Sequence, residues 1–447
     1  MLSIFLIAGY FYVGNTRLDP DFGWHLRAGQ HMLVYGVPKI DIFTYTAEYF
    51  PWVNHSWLSD LLVAGLYMIG GYSIVAVFFA LVWTSALLIA SRSKYYIVTI
   101  LAFIATVPFA GIRMVAWSVL FLAILERLLE NSKRHYIWLL PLLFLGWANL
   151  HGSFTLGLLV LVLHQIFSKS KLPWQVVLLS FIATLVNPFG YGVYVEVART
   201  ALDTQLKSHI TEWQAINLPT MVLPYLIGLI SLHFIFNKHP IKTIASIPGL
   251  LLLLALSSIR HAPLFVVSSQ RYFEDYTSRL TTAIKSMPKN NMSKKHITIL
   301  VIICLFMAGL TVWQLLAGTI VDGRRDRSYP VAAVEYLANS PCQGRIFNDY
   351  NYGGYIIWKL PDSKVYIDGR MPSWSENNVN YFDNYDRVLK DKEFRTREFE
   401  RYSIKCVIIR NDLDKKDINI IKDLQEAGWE AVDLPYDKYS TLLIRKS

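Results

Sequence analysis

Charge is scarce in this chain. Asp, Glu, Lys and Arg account for 17% of its 447 residues, where a soluble domain carries about 25%. With 53% hydrophobic residues and a mean hydropathy of +0.34, the deficit excludes an ordinary soluble globular protein. No internal repeat and no low-complexity tract is present. The first apolar stretch, "LSIFLIAGYFYVG", has neither a basic n-region before it nor an A-x-A site after it, so it reads as a short uncleaved span rather than a signal peptide. Arg17 on its outer flank is a small contradiction to that orientation. Cysteine is rare too. Of the three, Cys304 lies in an apolar run and reads as inert, while Cys342 and Cys406 either pair outside an oxidising membrane or remain two core thiols.

The apolar residues are clustered, as in "LLVLVLHQIF", "IPGLLLLLAL" and "ITILVIICLFMAGL", and such runs approach the roughly 20 residues that span a bilayer. A net charge of +10 suggests nucleic acid, but a nucleic-acid site gathers its basic residues on one face. Here they fall in short pieces, "SRSK" (91–94), "NSKRH" (131–135), "SKSK" (168–171), "NKHPIK" (237–242) and "KNNMSKK" (289–295), after every second span. That is the positive-inside pattern, and no nucleic-acid partner is expected.

With those loops inside, spans fall near 2–14, 73–91, 95–112, 114–131, 137–150, 153–168, 173–187, 221–237, 243–258, 262–275 and 297–318. The chain is therefore expected to be a polytopic α-helical protein of the cell membrane with about eleven transmembrane helices. Its N-terminus is cytoplasmic, and a long first outer loop covers about 15–72. "WLSDLLVAGLYMIGG" (57–71) fits either a span or an interfacial helix; a span would invert every later basic loop, so parity favours an interfacial helix turned by the Gly pair. Residues 1–320 form the transmembrane domain. From 325 to 447 the texture is that of a small soluble extracytoplasmic α/β domain. There "KVYIDGR", "KCVIIRND" and "STLLIRK" read as strands and "DINIIKDLQEAGW" as an amphipathic helix.

On this topology the outer loops hold the chemistry. The first carries Asp19, Asp21, His25, Arg27, Asp41, His55 and Asp60; later ones add Arg113, Asn149, His151, Asn187, His209, Glu212, Trp213, Arg260 and His261. Polar groups gathered at the mouths of many helices on one membrane face indicate a site. In "LDPDFGWHLRAG" (18–29), Asp21 and His25 are four apart and share a face if the segment is helical. Asp21 then suits a general base or a metal ligand. The bland alternative is that Asp19–Pro20 caps a helix whose first turn Asp21 strengthens. Arg27 either matches a phosphate or snorkels. Trp24, Trp52 and Trp57 stack on a sugar or belong to an interfacial belt. His55, His151 and His261 would make a zinc site, though without local ligand spacing. "NYGGY" (351–355) reads as a tight strand turn, and "YIDGR" (366–370) either binds sugar or acceptor or forms a structural salt bridge.

These residues resemble the GT-C superfamily of integral-membrane glycosyltransferases, which use lipid-linked sugar donors. "DFGWHLR" (21–27) looks like the D-P-W-Y-H-L-R stretch in the first outer loop of oligosaccharyltransferase catalytic subunits. The rest of the loop, with "WANLHGSF", "NPFG" and "GGYIIW…VYIDGR", resembles a large group of bacterial membrane proteins, so the likeness covers most of the chain. It implies a GT-C-like fold in which Asp21 is the catalytic base or a metal-linked carboxylate, with Asp19 its neighbour. For such a reaction His25 or His55 would orient base or acceptor, Arg113, Arg260 and His261 are the candidates to bind the donor phosphate, and His55, Trp57, His151 and Glu212 to bind the substrates. Oligosaccharyltransferases carry further acidic metal-binding motifs, whereas "GIRMVAW" has no carboxylate. The expected enzyme is thus a transferase without a cofactor, a divalent metal remaining compatible. Its partners are the bilayer, a polyprenyl-phosphate-linked sugar donor and a glycan, lipid or protein acceptor of the cell envelope.

Two other classes compete. A polysaccharide ligase or polymerase depends on outer Arg and His rather than on an Asp. A transporter of lipid-linked saccharides calls for mid-span charges, paired broken helices or an inverted repeat, none of which is evident. A non-catalytic scaffold ranks last.

Overall fold

The computed structural model describes residues 1–92, 95–130, 135–203, 206, 210–214, 222–237, 246–286, 309, 329–377, 379–416, 418–434 and 437–445. Twelve helices precede the C-terminal region among the described residues. They are α1 (Leu2–Thr16), α2 (Phe22–Tyr35), α3 (Trp57–Ala90), α4 (Tyr96–Thr106), α5 (Val115–Glu130), α6 (Leu140–Leu150), α7 (Phe154–Phe167), α8 (Trp174–Thr184), α9 (Gly192–Leu202), α10 (Leu223–Phe236), α11 (Ile247–Ser257) and α12 (Ala262–Ser286). Helices stand at ten of the eleven predicted spans. The eleventh, 297–318 with Cys304, lies outside the described residues except for position 309, and the basic loop 289–295 and His209 lie outside them too. By length and composition only α3, among the described helices, is long and apolar enough to cross a membrane; seven others are apolar but shorter.

The chain divides into two compact units. The first comprises Met1–Arg17, Tyr72–Val197 and Lys207–Gly323; the second comprises Leu18–Gly71, Ala198–Leu206 and Arg324–Ser447. The boundary between Gly71 and Tyr72 falls inside α3, where Gly70 and Gly71 leave helical geometry. Gly71 has φ +65, a left-handed conformation that glycine adopts without steric cost. The Gly pair therefore turns the chain where the sequence suggested.

Within the first unit, α12 packs against α4, α5, α10 and α11, and α6 against α8. Polar groups buried among these helices find partners on neighbouring ones. Glu274 accepts from Ser91 Oγ at 2.6 Å and from the Arg92 amide at 2.7 Å. Arg127 caps the end of α3 by donating to the carbonyls of Ile89 at 2.7 Å and Ser91 at 2.6 Å. Local sequence starts the helices: Ser246 caps α11 by accepting from the Gly249 amide at 3.3 Å, with a proline in the first turn.

The second unit contains α2, the α3 segment before Gly71, and the C-terminal region. There α13 (Val331–Asn339), β1 (Arg345–Asn348), α14 (Gly353–Lys359), β2 (Ser375–Glu376), β3 (Val379–Asn380), α15 (Tyr381–Lys390), α16 (Lys392–Arg401), β4 (Ile404–Arg410), α17 (Ile420–Glu426), β5 (Trp429–Ala431) and β6 (Ser440–Arg445) follow in order. The sheet order is β1-β4-β6-β5, with β1 parallel to β4 and the other pairs antiparallel, beside a β2–β3 hairpin. Asn380 and Asp391 cap α15 and α16, accepting from the amides of Phe382 at 2.7 Å and Phe394 at 2.9 Å. Cys342 and Cys406 form a disulfide with Cα atoms 6.1 Å apart.

"KCVIIRND", "STLLIRK" and "DINIIKDLQEAGW" form the expected β4, β6 and α17. "KVYIDGR" is not a strand: Val365 makes one isolated bridge to Thr44, and Asp368 to Arg370 form a turn around an internal ion pair. "NYGGY" is a 3-10 turn leading into α14 rather than a strand turn.

Candidate active site

The stretch 18–27 begins α2. Asp19 Oδ1 accepts from the Asp21 amide at 3.0 Å, a local turn that sets the helix entry. Asp21 occupies the N-cap position, yet its side chain makes no capping bond. Its Oδ1 instead accepts from Trp24 Nε1 at 3.0 Å. The local turn of the bland alternative is therefore present at Asp19, while the Asp21 carboxylate bonds a side chain of the first turn rather than its backbone amides.

What faces Asp21 comes from the C-terminal region. A Cβ built on Gly369 would stand 1.9 Å from Asp21 Oδ1, and one on Gly354 2.0 Å from the Pro20 carbonyl oxygen. A Cβ on Gly23 would stand 1.8 Å from the Gly354 carbonyl oxygen. Helices α2 and α14 thus cross backbone to backbone at a glycine pair, and the Asp368–Gly369–Arg370 turn lies against the carboxylate. Arg27 completes the crossing by donating to the carbonyls of Ile357 at 3.3 Å and Trp358 at 2.7 Å at the end of α14. Burial lowers its pKa below the usual arginine value despite the opposing effects of Tyr67 and Asp362.

His25, on the next turn of α2, has Nδ1 2.6 Å from Asp60 Oδ1. The other oxygen of Asp60 accepts from Asn54 Nδ2 at 2.7 Å, and Asn54 Oδ1 in turn accepts from the Ser56 amide and hydroxyl, both at 3.1 Å. "NHSWLSD" therefore supplies the groups that hold His25, with His55 and Trp57 half-buried between them.

Beside this lies a fully enclosed cation. Arg370, with a side chain 3% exposed, pairs with Asp368 at 2.6 Å and Asp41 at 2.7 Å. Its guanidinium is 4.5 Å from the ring centre of Trp52, 4.9 Å from Phe43, 5.1 Å from Trp374 and 5.9 Å from Trp24. Burial disfavours the charge, but Asp368 and Asp41 more than offset it and raise the pKa of Arg370. The salt-bridge reading of "YIDGR" is the one realised. Trp24 and Trp52 are buried and line this ion pair.

The first unit gathers a second set. Arg113 pairs with Glu212, and the Arg260 guanidinium lies 4.2 Å from the ring centre of Trp213. Ser258 Oγ donates to the Glu212 carbonyl at 3.1 Å, and the Ile259 amide to the Gln214 carbonyl at 3.4 Å, joining the two loops. Desolvation works against the Glu212 carboxylate, but Arg113 and then Arg260 hold it below the usual range. His261 stands beside Arg260 with Nδ1 buried and without a hydrogen-bond partner. Burial, reinforced by Arg260, pushes its pKa down to about 4, so it is neutral. His151 Nδ1 is 2.7 Å from the hydroxyls of both Ser118 and Ser153, and Ser118 also accepts from Trp147 Nε1 at 2.9 Å. Asn149 ties the same loop to the carbonyl of Val186 at 2.9 Å.

The expected residues thus fall into two groups: Asp19, Asp21, His25, His55 and Trp57 in the second unit, and Arg113, His151, Glu212, Arg260 and His261 in the first. Among the described residues no three His, Cys, Asp or Glu side chains are grouped to hold a metal. Sequence reasoning missed the supporting residues Asn54 and Ser56, which flank His55 in the first outer loop, and Gly354 and Gly369, whose signal was the shared motif "GGYIIW…VYIDGR".

No family model and no curated protein matches the chain. Solved structures do. The apo oligosaccharyltransferase of Archaeoglobus fulgidus aligns with a TM-score of 0.59 at 12% identity, covering 98% of this chain and 74% of its own. The oligosaccharyltransferase AglB of the same organism, in complex with an inhibitory peptide and a dolichol-phosphate, gives 0.57 at 11% identity, with 98% and 73% covered. ArnT from Cupriavidus metallidurans, bound to undecaprenyl phosphate, gives 0.50 at 11%, covering 99% and 97%. At such identities the likeness is one of fold, and the chain has the fold of the GT-C glycosyltransferases.

Proposed function

We propose that the protein is a membrane glycosyltransferase that moves a sugar from a polyprenyl-phosphate-linked donor to a cell-envelope acceptor at the outer face. Asp21 takes the proton of an acceptor hydroxyl as its oxygen attacks the anomeric carbon. The bond from that carbon to the phosphate oxygen breaks, and the lipid phosphate leaves with the electron pair. A single in-line displacement inverts the anomeric centre. One carboxylate is sufficient because the lipid phosphate is already a good leaving group.

The observation that carries this reading is the Asp21 carboxylate itself. It is not used as a helix cap, it is oriented by Trp24, and it belongs to the loop after the first helix of a GT-C fold. Arg113 and Arg260 balance the charge developing on the departing phosphate. His261, being neutral, contributes a hydrogen bond rather than a charge. Asp19 shapes the entry to α2 and His25 orients the acceptor; His55, Trp57, His151 and Glu212 contact donor or acceptor. The eleven-span topology, with the N-terminus cytoplasmic and residues 325–447 outside, is part of the proposal. The Cys342–Cys406 disulfide supports the outer location, because disulfides persist in oxidising compartments.

The test is transfer from a labelled polyprenyl-phosphate sugar pool in membranes carrying wild type or Asp21→Asn. Loss of transfer with the protein still folded supports Asp21 as the base. Equal transfer in both overturns that role. If Arg113→Ala then abolishes it, a ligase or polymerase mechanism replaces this one. The Arg113–Glu212–Arg260 cluster is what favours that second reading.

A further inference from the structure

We propose that the Asp368–Gly369–Arg370 turn is the seat of the Asp21 carboxylate, with Gly369 and Arg370 acting as positioning residues for transfer. This rests on the reading of Asp21 as the base. The C-terminal region thereby fixes the catalytic loop.

Three contacts define the seat. First, the carboxylate occupies the space a side chain at 369 would need. A Cβ there would stand 1.9 Å from Asp21 Oδ1 and 3.0 Å from its Cγ, so only glycine admits this carboxylate in this rotamer. Second, the oxygen pressed against Gly369 is the one that accepts from Trp24 Nε1 at 3.0 Å. One oxygen is thereby anchored on two sides, which fixes the direction of the carboxylate. Third, the backbone beneath is equally close: a Cβ on Gly354 would stand 2.0 Å from the Pro20 carbonyl oxygen and one on Gly353 2.8 Å from the Asp368 Cα.

Arg370 locks the turn. Its amide and Nε donate to Asp368 Oδ1 at 3.0 and 2.8 Å, and Nη2 donates to Oδ2 at 2.6 Å. The remaining arm reaches Asp41 at 2.7 Å. Trp24, which orients Asp21, also lies 5.9 Å from the same guanidinium. A lysine retains the charge but not the planar fork that makes these contacts together. A base must lie within hydrogen-bond reach of the proton it removes, and a displacement of about 1 Å costs about 100-fold in rate.

The experiment uses full-length protein in detergent–lipid micelles, with transfer kinetics and thermal unfolding for wild type, Asp21→Asn, Asp21→Ala, Gly369→Ala, the double variant Asp21→Ala/Gly369→Ala, Arg370→Lys and Gly428→Ala. Gly428 (φ +87, with nothing within 4 Å of a built Cβ) reports general destabilisation of the C-terminal region. The expected result is that Gly369→Ala lowers kcat by about 100-fold with donor KM unchanged, well below its melting temperature. Arg370→Lys lowers kcat in the same direction, and Gly428→Ala lowers the melting temperature without lowering kcat. Removing the carboxylate relieves the clash, so Gly369→Ala lowers Tm by several degrees in wild type and by much less in the Asp21→Ala background. Wild-type kcat in Gly369→Ala, or an equal Tm loss in both backgrounds, overturns the seat. So does a kcat loss in Gly428→Ala that matches that of Gly369→Ala. If Asp21→Asn itself transfers normally, the reading of Asp21 as base has failed, and the stability cycle still reports whether the contact exists.

Discussion

The imidazole of His25 and the carboxylate of Asp60, 35 residues apart, meet with Nδ1 2.6 Å from Oδ1 inside the unit that contains the Asp21 loop. A carboxylate beside Nδ1 accepts its N–H and so fixes the tautomer and the orientation of the ring. Asp60 is in turn held by Asn54, and Asn54 by Ser56. Asp60→Asn puts an amide where the buried ring needs a charged acceptor. It should cost about 1.5–3 kcal/mol, the contribution of a charge-assisted hydrogen bond, read as a lower melting temperature. Ser56→Ala should cost about 1 kcal/mol, as for a neutral bond. Equal melting of Asp60→Asn and wild type would show that the pair contributes nothing to the fold.

The disulfide gives a second prediction. Cys342 and Cys406 enclose a loop with a sequence separation of 64, and closing a loop of that length restricts the unfolded chain by about 4 kcal/mol. Cys342→Ser should therefore melt lower than wild type, and a reducing agent should bring wild type down to the variant. A thiol-reactive, membrane-impermeant reagent should label Cys406 in Cys342→Ser cells once the protein is unfolded, since Cys406 is fully buried in the fold. No change on reduction would mean that the bond adds no stability.

How much of this was legible follows from what a sequence encodes locally. The helices at the ten predicted spans were legible because each is a largely apolar run between turn signals. So was the break at Gly70–Gly71, since the second glycine adopts φ +65. The strands β4 and β6 were legible from their β-branched and aliphatic runs. "KVYIDGR" misled because its residues suit a strand, whereas the ion pair from Asp368 to Arg370 and on to Asp41 bends it into a turn. The partners of Asp21 and His25 could not be read from spacing. Gly369 and Asp60 lie far along the chain, and glycine carries no side-chain signal for the approach it permits. Nothing local to Arg27 indicates that the end of α14 supplies carbonyls to it.

Acid should act on the Arg113–Glu212 pair in one direction. The carboxyl is held below its ordinary value of 4.5 when folded, chiefly by Arg113 acting against desolvation. A depressed carboxyl adds stability above its unfolded pKa and loses it as pH falls through the folded one. The difference in melting temperature between wild type and Glu212→Gln should therefore be constant above about pH 5 and shrink below it. Arg113→Ala should remove or reverse that trend, because desolvation then acts on the carboxylate with only Arg260 opposing it. The side chain is half exposed, so the effect is expected to be small and to weaken with salt. A difference that grows toward acid would contradict the pairing.

The strongest structural effect should come from Arg370. It is buried with two carboxylates, and removing one member of such a group leaves the others uncompensated at about 3–5 kcal/mol. Arg370→Met should therefore prevent stable folding of the second unit, seen as loss of the folded protein from detergent extracts. Adding Asp41→Asn to Arg370→Met should recover part of that loss by removing one stranded charge. Recovery should stay incomplete, because Asp368 still lacks its partner and four aromatic rings lose the cation they surround. Arg370→Lys should fold better than Arg370→Met, since an ammonium still answers the charge of both carboxylates. If Arg370→Met extracts and melts like wild type, the cluster adds no stability and Asp41 and Asp368 must be satisfied without it.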